Sequence, residues 1–583
     1  LLKSIYGDEK KKDLSLYASR IARAKDYCLF PSDDLSRITV SPDFKAVYEA
    51  YEKKLEVVGN VDFGDLILKP LKLLEIFPEV KSRLQSRFSV ILVDEYQDSN
   101  LAQYELLKAL SGAHTYICVV GDEDQSIYRF RGAEVKNIVS FPDCFPGTQI
   151  IRLEQNYRST EPILKVAGGV IANNTERLGK TLWTDKTGGK HPVLVYLEDQ
   201  RAEAEFCARL LSDGNLEGTA ILYRTNAQSL PFETCFSQAG IPYRIVGSLK
   251  FYEREEVKDA LSLLFFLSNP MDVVSFTRII NKPGRGIGEA TVKGIVERAD
   301  ATGGDLVSAC RSFVENGNPR ARKGIADFVA FFDAMTESFD HVPVKDFVEM
   351  AIRSSGLYEY HRAKDEAGGT QKVGNLGQIV NAAASYGSGR EALSLFLEDL
   401  MLDSSHMAET DDRGVGVTLI TMHNTKGLEF DRVIITGLEN GLFPSLKGGY
   451  NQDDIEEERR IFYVSLTRAR EELYLTSCRR RFLWGRMVYN EPSMFIDEIP
   501  KGWVTIYNEW GSEVQAEEGQ GSRLDRKGFK PGARVYHPEY GAGIIFKEWY
   551  NGSKQLVLVR FDTGKTAQFI PQYSSLERIA DDD

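Results

Sequence analysis

Residues 91–98 read Ile91-Leu92-Val93-Asp94-Glu95-Tyr96-Gln97-Asp98. A short apolar run of this kind predicts a strand, and its abrupt end in two carboxylates places Asp94 and Glu95 at the strand's carboxyl edge. Ligands bind at that edge in parallel α/β sheets. A carboxylate there suits a Mg²⁺ ion bridging nucleotide phosphates, and its neighbour suits polarising an attacking water. A solvated strand end followed by a turn would carry the same pair, so the pair by itself settles nothing.

Working outward, further short β-branched runs occur at residues 90–93, 116–120, 149–153, 220–223, 417–420 and 432–436. Helix-length stretches separate them, which predicts parallel α/β sheets in two clusters. From about residue 257 to 412 the chain reads as mainly helical, punctuated by Asn269-Pro270 and Asn281-Lys282-Pro283-Gly284. That middle reads as an insertion within the second α/β domain. Residues 508–527 are polar and glycine-rich, as in a flexible linker. Residues 532–577 then alternate as a small β-barrel does, with turns at Glu539-Tyr540-Gly541 and Asp562-Thr563-Gly564.

At 583 residues the chain exceeds one core, and 42% hydrophobic with 27% charged residues is ordinary globular composition. The seven cysteines form no CxxC pair, which argues against a zinc site or a disulfide framework and fits a reducing cytoplasm. No run of eighteen apolar residues suggests a membrane span. Net charge of -13 disfavours coating nucleic acid by bulk electrostatics. A locally basic, aromatic-lined groove for single strands remains compatible with it.

Three other segments carry chemistry. Residues 119–133 read VVGDEDQSIYRFRGA, so a second strand ends in a glycine turn with Asp122 and Gln125, suited to phosphate sensing. Tyr128, Phe130 and Arg131 follow, aromatics interleaved with arginines, suited to stacking on unpaired bases. Gln155-Asn156-Tyr157-Arg158-Ser159 is expected at the carboxyl end of a third strand. There Tyr157 could stack on a purine and Arg158 could stabilise a transferring phosphoryl group. The same segment also reads as a helix start, with Ser159 or Thr160 as N-cap and Glu161-Pro162 in the first turn. In residues 455–475, Arg468 shares a helical stripe with Ile461, Val464 and Ser465. An interfacial arginine needs an anion, either a nucleotide phosphate or a carboxylate such as Glu457 or Glu458.

VDEYQDSN, GDEDQSIYRFRGA, LEQNYRST, TMHNTKGLEF and EEERRIFYVSLTRARE resemble, in order, motifs II to VI of the UvrD/PcrA/Rep superfamily 1A DNA helicases. The resemblance covers nearly the whole chain. It implies two RecA-like parallel-sheet lobes with a mainly helical inserted domain and a small C-terminal Tudor-like β-barrel. The implied layout is a 1B remnant (1–61), lobe 1A (62–156), lobe 2A (157–257 and 413–507), the 2B insertion (258–412), a linker (508–528) and the barrel (529–583). The implied function is ATP-dependent 3′-to-5′ translocation on single-stranded DNA and DNA unwinding in repair or replication, using ATP and Mg²⁺.

By the same resemblance Asp94 is the Mg²⁺ carboxylate, Glu95 the catalytic base and Gln125 a γ-phosphate sensor with Asp122 beside it. Arg158 and Arg468 become arginine fingers, Tyr157 the adenine platform and Glu429 the ribose contact. Tyr128, Phe130, Arg131, Arg224, Asn226 and His423 would line the single-strand track, and Gly286 and Gly288 would touch duplex DNA. Implied partners are single strands and single/double-strand junctions, with RNA polymerase contacts through the tail and repair proteins besides.

One departure stands out, since no GxxxxGK[ST] loop occurs anywhere. Gly179-Lys180-Thr181 and Gly564-Lys565-Thr566 lack the earlier glycine, having Asn174 and Val559 in its place. The expectation is therefore a chain lacking its family's leading segment and hydrolysing ATP poorly by itself. The alternative is a non-catalytic module that binds DNA and a polymerase.

Overall fold

The computed structural model describes residues 2, 5, 14–247, 249–301, 305–316, 319–368, 370–409, 416–445, 451–483, 485–507, 529–530, 532–537, 541–551, 554–562, 566–569, 571 and 576–578. The linker at 508–528 and most of the two turns expected in the tail lie outside the described residues. The chain forms two compact units. One comprises Leu1–Ile150, Thr225–Gly416 and Phe482–Val488; the other comprises Ile151–Arg224, Val417–Arg481 and Tyr489–Asp583.

In the first unit, strands Val90–Val93 and Tyr116–Val119 pair in parallel, Val90 opposite Tyr116 and Val93 opposite Val119. The Val120 N–H to the Val93 carbonyl (2.7 Å) and the Tyr96 N–H to the Val120 carbonyl (3.0 Å) continue the ladder past the strand ends. One face of this pair stays open, with Leu92 74% exposed. Helices Leu14–Asp26, Phe44–Val58 and Asp65–Ile76 pack together in this unit, and Tyr17, Ile21, Phe44 and Tyr48 are buried together. Lys25 is buried there against three carboxylates, Glu52 (2.6 Å), Asp65 (2.7 Å) and Asp62 (2.8 Å), the condition on which a buried ammonium stays charged.

The strand expected at 149–153 does not form. These residues take no regular structure, Leu153 is 82% exposed, and the nearby ladder contact is a single bridge from Gln155 to Trp183. Here the chain passes from one unit to the other. A β-branched run becomes a strand only where a neighbouring backbone takes its N–H and C=O groups and its side chains find a surface.

Residues 225–416 are mainly helical, from Leu230–Gln238 and Glu255–Ser268 to Arg390–Glu409, around a core that includes Leu263, Phe266, Phe276, Phe328 and Phe347. The expected breakers act as read: Asn269 ends helix Glu255–Ser268, and residues 281–288 form a loop between Val273–Ile279 and Glu289–Ala301. That loop is held by Arg285. Its Nη1 donates to the carbonyls of Ile279 and Ile280 (both 3.1 Å) and Lys282 (3.0 Å), and its Nη2 to that of Ser355 (2.9 Å). A Cβ on Gly324 would lie 2.1 Å from the Arg285 carbonyl oxygen, so helix Pro319–Ser338 needs glycine at this point.

The second unit holds six parallel strands in the order Thr505–Tyr507, Val193–Leu197, Ala469–Cys478, Phe430–Ile435, Thr219–Tyr223, Val417–Thr421. The last two are adjacent, Ala220 opposite Thr418, although nearly two hundred residues separate them in the chain; the helical stretch is thus an insertion between neighbouring strands. All five residues of Thr219–Tyr223 and of Val417–Thr421 are buried, the mark of parallel strands covered on both faces. In the tail, five antiparallel strands (Arg534–His537, Gly541–Asn551, Lys554–Phe561, Thr566–Phe569, Glu577–Arg578) enclose Val535, Ile545, Val557, Val559, Phe561 and Phe569. No helix among the described residues is long and apolar enough to cross a membrane.

Two predictions follow from this packing. Gly324→Ala drives a methyl group into backbone and is expected to lower stability by about 1–3 kcal/mol, read as a fall in Tm. Burial raises the Asp26 carboxyl to about 6, against the opposing hydrogen bond from Asn100 Nδ2 at 2.8 Å. A raised carboxyl stabilises fully below its unfolded value and loses that contribution as pH rises through the folded one. Asp26→Asn should therefore flatten the decline in Tm between about pH 4 and 6 and add on the order of 2 kcal/mol at pH 7. An unchanged pH profile would refute this.

Candidate functional site

The in-register parallel pair of the first unit brings two motif segments to one edge. Asp94 follows Val93 directly, and its Oδ1 accepts the Glu95 N–H at 2.8 Å. The Asp94 carboxylate is exposed at the strand edge, so hard oxygen is presented where a Mg²⁺ ion would be held. Glu95 adopts φ 50°, a left-handed conformation unusual for a residue with a Cβ. Such strain, of order 1–3 kcal/mol, persists where surrounding contacts over-determine it.

Those contacts come through Gln97, which is 1% exposed. Gln97 Nε2 donates to Glu95 Oε2 at 2.6 Å, and its Oε1 accepts the Asp122 N–H at 3.0 Å. Asp122 in turn accepts from Gln125 Nε2 at 2.8 Å. One chain of hydrogen bonds thus runs from Glu95 to Gln125. A Cβ on Gly121 would lie 2.6 Å from Gln97 Oε1, so the glycine of GDEDQ is what lets Gln97 lie against the second strand's end. Gln97 was missed in the sequence reading; its signal was a polar residue on the inward side of a turn that must be satisfied when buried.

Just beyond, Arg129–Arg131 forms a short 3-10 turn. Tyr128 and Phe130 meet edge to face with centroids 5.9 Å apart, and the Arg131 guanidinium lies 5.2 Å from the Tyr128 ring and 5.4 Å from that of Phe130. Phe130 is 64% exposed, so this aromatic and cationic group faces solvent rather than a core. Elsewhere in this unit, the Asn226 carbonyl accepts from Arg254 Nη1 at 2.9 Å, and Gly286 and Gly288 lie exposed on the loop that Arg285 holds.

In the second unit the nucleotide candidates gather at the opposite kind of edge. Phe430 pairs with Ala469 at the start of two parallel strands, which places Glu429 and Arg470 at the sheet's amino edge. Ser159 Oγ donates to the Ala469 carbonyl at 2.6 Å and the Thr160 N–H to that of Arg470 at 3.2 Å, docking 157–160 there. The expected placement of Tyr157 and Arg158 at a strand's carboxyl end is thus corrected, because no third strand forms before them. Helix Glu161–Ile171 begins immediately after, with Thr160 rather than Ser159 in the N-cap position and no side-chain cap hydrogen bond from it.

Around this edge lies a cavity of about 420 Å³ lined by Gln155, Asn156, Tyr157, Arg158, Lys186, Glu429 and Arg470. Tyr157 is 76% exposed, with its hydroxyl donating to Gln155 Oε1 at 2.8 Å. Arg158 Nε donates to Glu429 Oε2 at 2.5 Å, and Arg470 binds the other oxygen of Glu429 and reaches Asp431 at 3.1 Å. Hydrogen bonds first from Arg470 and then from Arg158 hold the Glu429 carboxyl down to about 2. An exposed aromatic face, two guanidinium groups and an ionised carboxylate are the equipment for a base, phosphates and a sugar hydroxyl.

Arg468 does not line this cavity. It is 3% exposed, and its guanidinium donates to the carbonyls of Val464 (2.9 Å) and Leu428 (3.2 Å). Glu458, considered as its partner, instead takes Arg224 Nη2 at 2.6 Å and Nε at 3.0 Å. Arg224 is therefore committed to an ion pair at the carboxyl edge of Thr219–Tyr223, and half-buried His423 follows Val417–Thr421 at the same edge. Arg470 and Lys186 were missed in the sequence reading. Arg470 was legible as the next charged residue of TRAR, and it is the second residue of strand Ala469–Cys478 rather than part of the helix.

Residues 2–146 match the UvrD/REP helicase N-terminal domain, and residues 151–480 match the UvrD-like helicase C-terminal domain. The chain is 36% identical to DNA helicase II of Escherichia coli strain K12 over 558 residues, 93% of this chain and 77% of that protein. It is 35% identical to ATP-dependent DNA helicase UvrD1 of Mycobacterium tuberculosis H37Rv over 627 residues, 98% and 81% respectively. It is 34% identical to ATP-dependent DNA helicase PcrA of Staphylococcus aureus Mu50 over 610 residues, 100% and 83%. The N-terminal domain model applies from residue 2 of this chain, and the chain spans 77–83% of the length of these relatives. With both domain models matched in order over most of its length, the chain belongs to the UvrD/REP helicase family and is an enzyme of that family.

Proposed function

We propose that this enzyme is an ATP-dependent translocase that moves 3′ to 5′ along single-stranded DNA and unwinds DNA in repair or replication. The observation that carries the reading is the hydrogen-bond chain Glu95–Gln97–Asp122–Gln125, which fixes a strained acidic residue and a glutamine at the carboxyl edge of parallel strands. In this reading Asp94 holds Mg²⁺, which supplies charge neutralisation for the phosphates. Glu95 accepts a proton from the attacking water, and Gln125 registers the γ-phosphate with Asp122 orienting its amide. In the second unit Tyr157 stacks on adenine, Glu429 takes the ribose, and Arg158 exchanges Glu429 for the charge of the transferring phosphoryl group. Arg468 acts as a finger only if it turns away from the carbonyls it now caps.

Tyr128, Phe130 and Arg131 would grip single-stranded DNA, with Asn226 and His423 along the track; Arg224 would serve there by way of its pair with Glu458. Gly286 and Gly288 present backbone to duplex DNA at a junction. In family terms, 62–156 and 157–257 with 413–507 are the RecA-like lobes, 258–412 the 2B insertion and 1–61 part of 1B. We read the five-stranded sheet of the tail as a Tudor-like barrel, suited to contacts with RNA polymerase or repair proteins. The working compartment is the cytoplasm.

The absence of a GxxxxGK[ST] loop from these 583 residues favours a second reading, a DNA-binding module without turnover. Hydrolysis separates the two. These 583 residues alone are expected to release phosphate from ATP close to background, with no stimulation by single-stranded DNA; brisk turnover would mean that another segment cradles the phosphates. In the full-length protein, Glu95→Gln should lower kcat by about a hundredfold or more while leaving ATP affinity near normal. Undiminished turnover would sink the catalytic assignment. Phe130→Ala should weaken single-strand binding by about 1–3 kcal/mol in fluorescence anisotropy. Equal affinity would remove Phe130 from the track.

A further inference from the structure

We infer that Lys186 is a third cationic contact in the Tyr157 cavity, taking the sugar-phosphate of a nucleoside polyphosphate. The inference rests on the nucleotide reading of that cavity and deepens it. The charges lining the cavity do not balance: Arg158, Lys186 and Arg470 stand against one carboxylate, Glu429. Both arginines already share Glu429, and Arg470 also reaches Asp431. Lys186 Nζ instead donates to the Arg158 carbonyl, a neutral acceptor, at 2.8 Å. Among the described residues its nearest carboxylate is Glu471, 3.9 Å away and 60% exposed, a pairing that solvent screens.

The position of the lysine is built. Its own carbonyl accepts the Glu161 N–H at 3.2 Å, which ties it to the start of helix Glu161–Ile171. The preceding residue, Asp185, takes Gln155 Nε2 at 2.7 Å, and Trp183 bridges to Gln155. An ammonium carries three donors, of which one is used here, so two remain for oxygen atoms brought into the cavity. A compact point charge gains most from phosphate oxygens and little from a neutral base or sugar, so the ligand it selects is the charged nucleotide over the nucleoside.

Isothermal titration of ATP, ADP and adenosine into the 583-residue chain and its Lys186→Met and Lys186→Arg variants tests this. Lys186→Met is expected to weaken ATP and ADP by about tenfold, equivalent to about 1.4 kcal/mol, and to leave adenosine unchanged. Lys186→Arg should recover most of the affinity, and high salt should narrow the difference between wild type and Lys186→Met. Wild-type affinity for ATP in Lys186→Met, or an equal loss for adenosine, overturns the role of Lys186 alone. A wild-type chain that binds neither ATP nor ADP overturns the nucleotide reading of the cavity and the inference with it.

Discussion

Parallel pairing obliges neighbouring strands to start at one edge of a sheet and finish at the other, and the placement of nearly every candidate residue follows from that constraint. In the first unit, the register of Val90–Val93 with Tyr116–Val119 makes the residues after both strands neighbours. Asp94 and Asp122 are 28 positions apart in the chain, yet one glutamine reaches both segments. In the second unit the same constraint separates two groups of candidate residues. Tyr157, Arg158, Glu429 and Arg470 collect at the amino edge, whereas Arg224 and His423 follow strands at the carboxyl edge. One sheet thereby carries two separate groups of candidate residues, one at each edge.

The electrostatics obey a related economy. Buried charges such as Lys25 and Arg481 are paired with carboxylates inside the chain. Arg158 and Arg470 converge on Glu429 at an accessible cavity, where solvent screens the cost of exchanging one anion for another. Arg224 with Glu458 is more enclosed, and removing either partner there would strand a charge at a cost of about 3–5 kcal/mol. Arg468 donates to the carbonyls of Val464 and Leu428 and to the Thr467 hydroxyl, contacts that hold the turn between helix Gln452–Leu466 and strand Ala469–Cys478.

The sequence by itself determined the carboxylates at the end of Val90–Val93, the helical insertion and its breakers, the aromatic and arginine alternation at 128–131 and a helix start at Ser159 or Thr160. Each is a local property, written in hydrophobic period, capping chemistry or a breaker dipeptide, and local rules read it. Only the tertiary structure decided that 149–153 is not a strand, because strand formation depends on a partner backbone that the run itself does not contain. Only it decided that Arg470 and Lys186 share the cavity while Arg468 turns inward, because one step along a helix or strand redirects a side chain and the winning direction depends on neighbours hundreds of residues away. The role of Gln97 likewise emerged only when the parallel register set a second strand beside the first, giving one buried amide two distant partners at once.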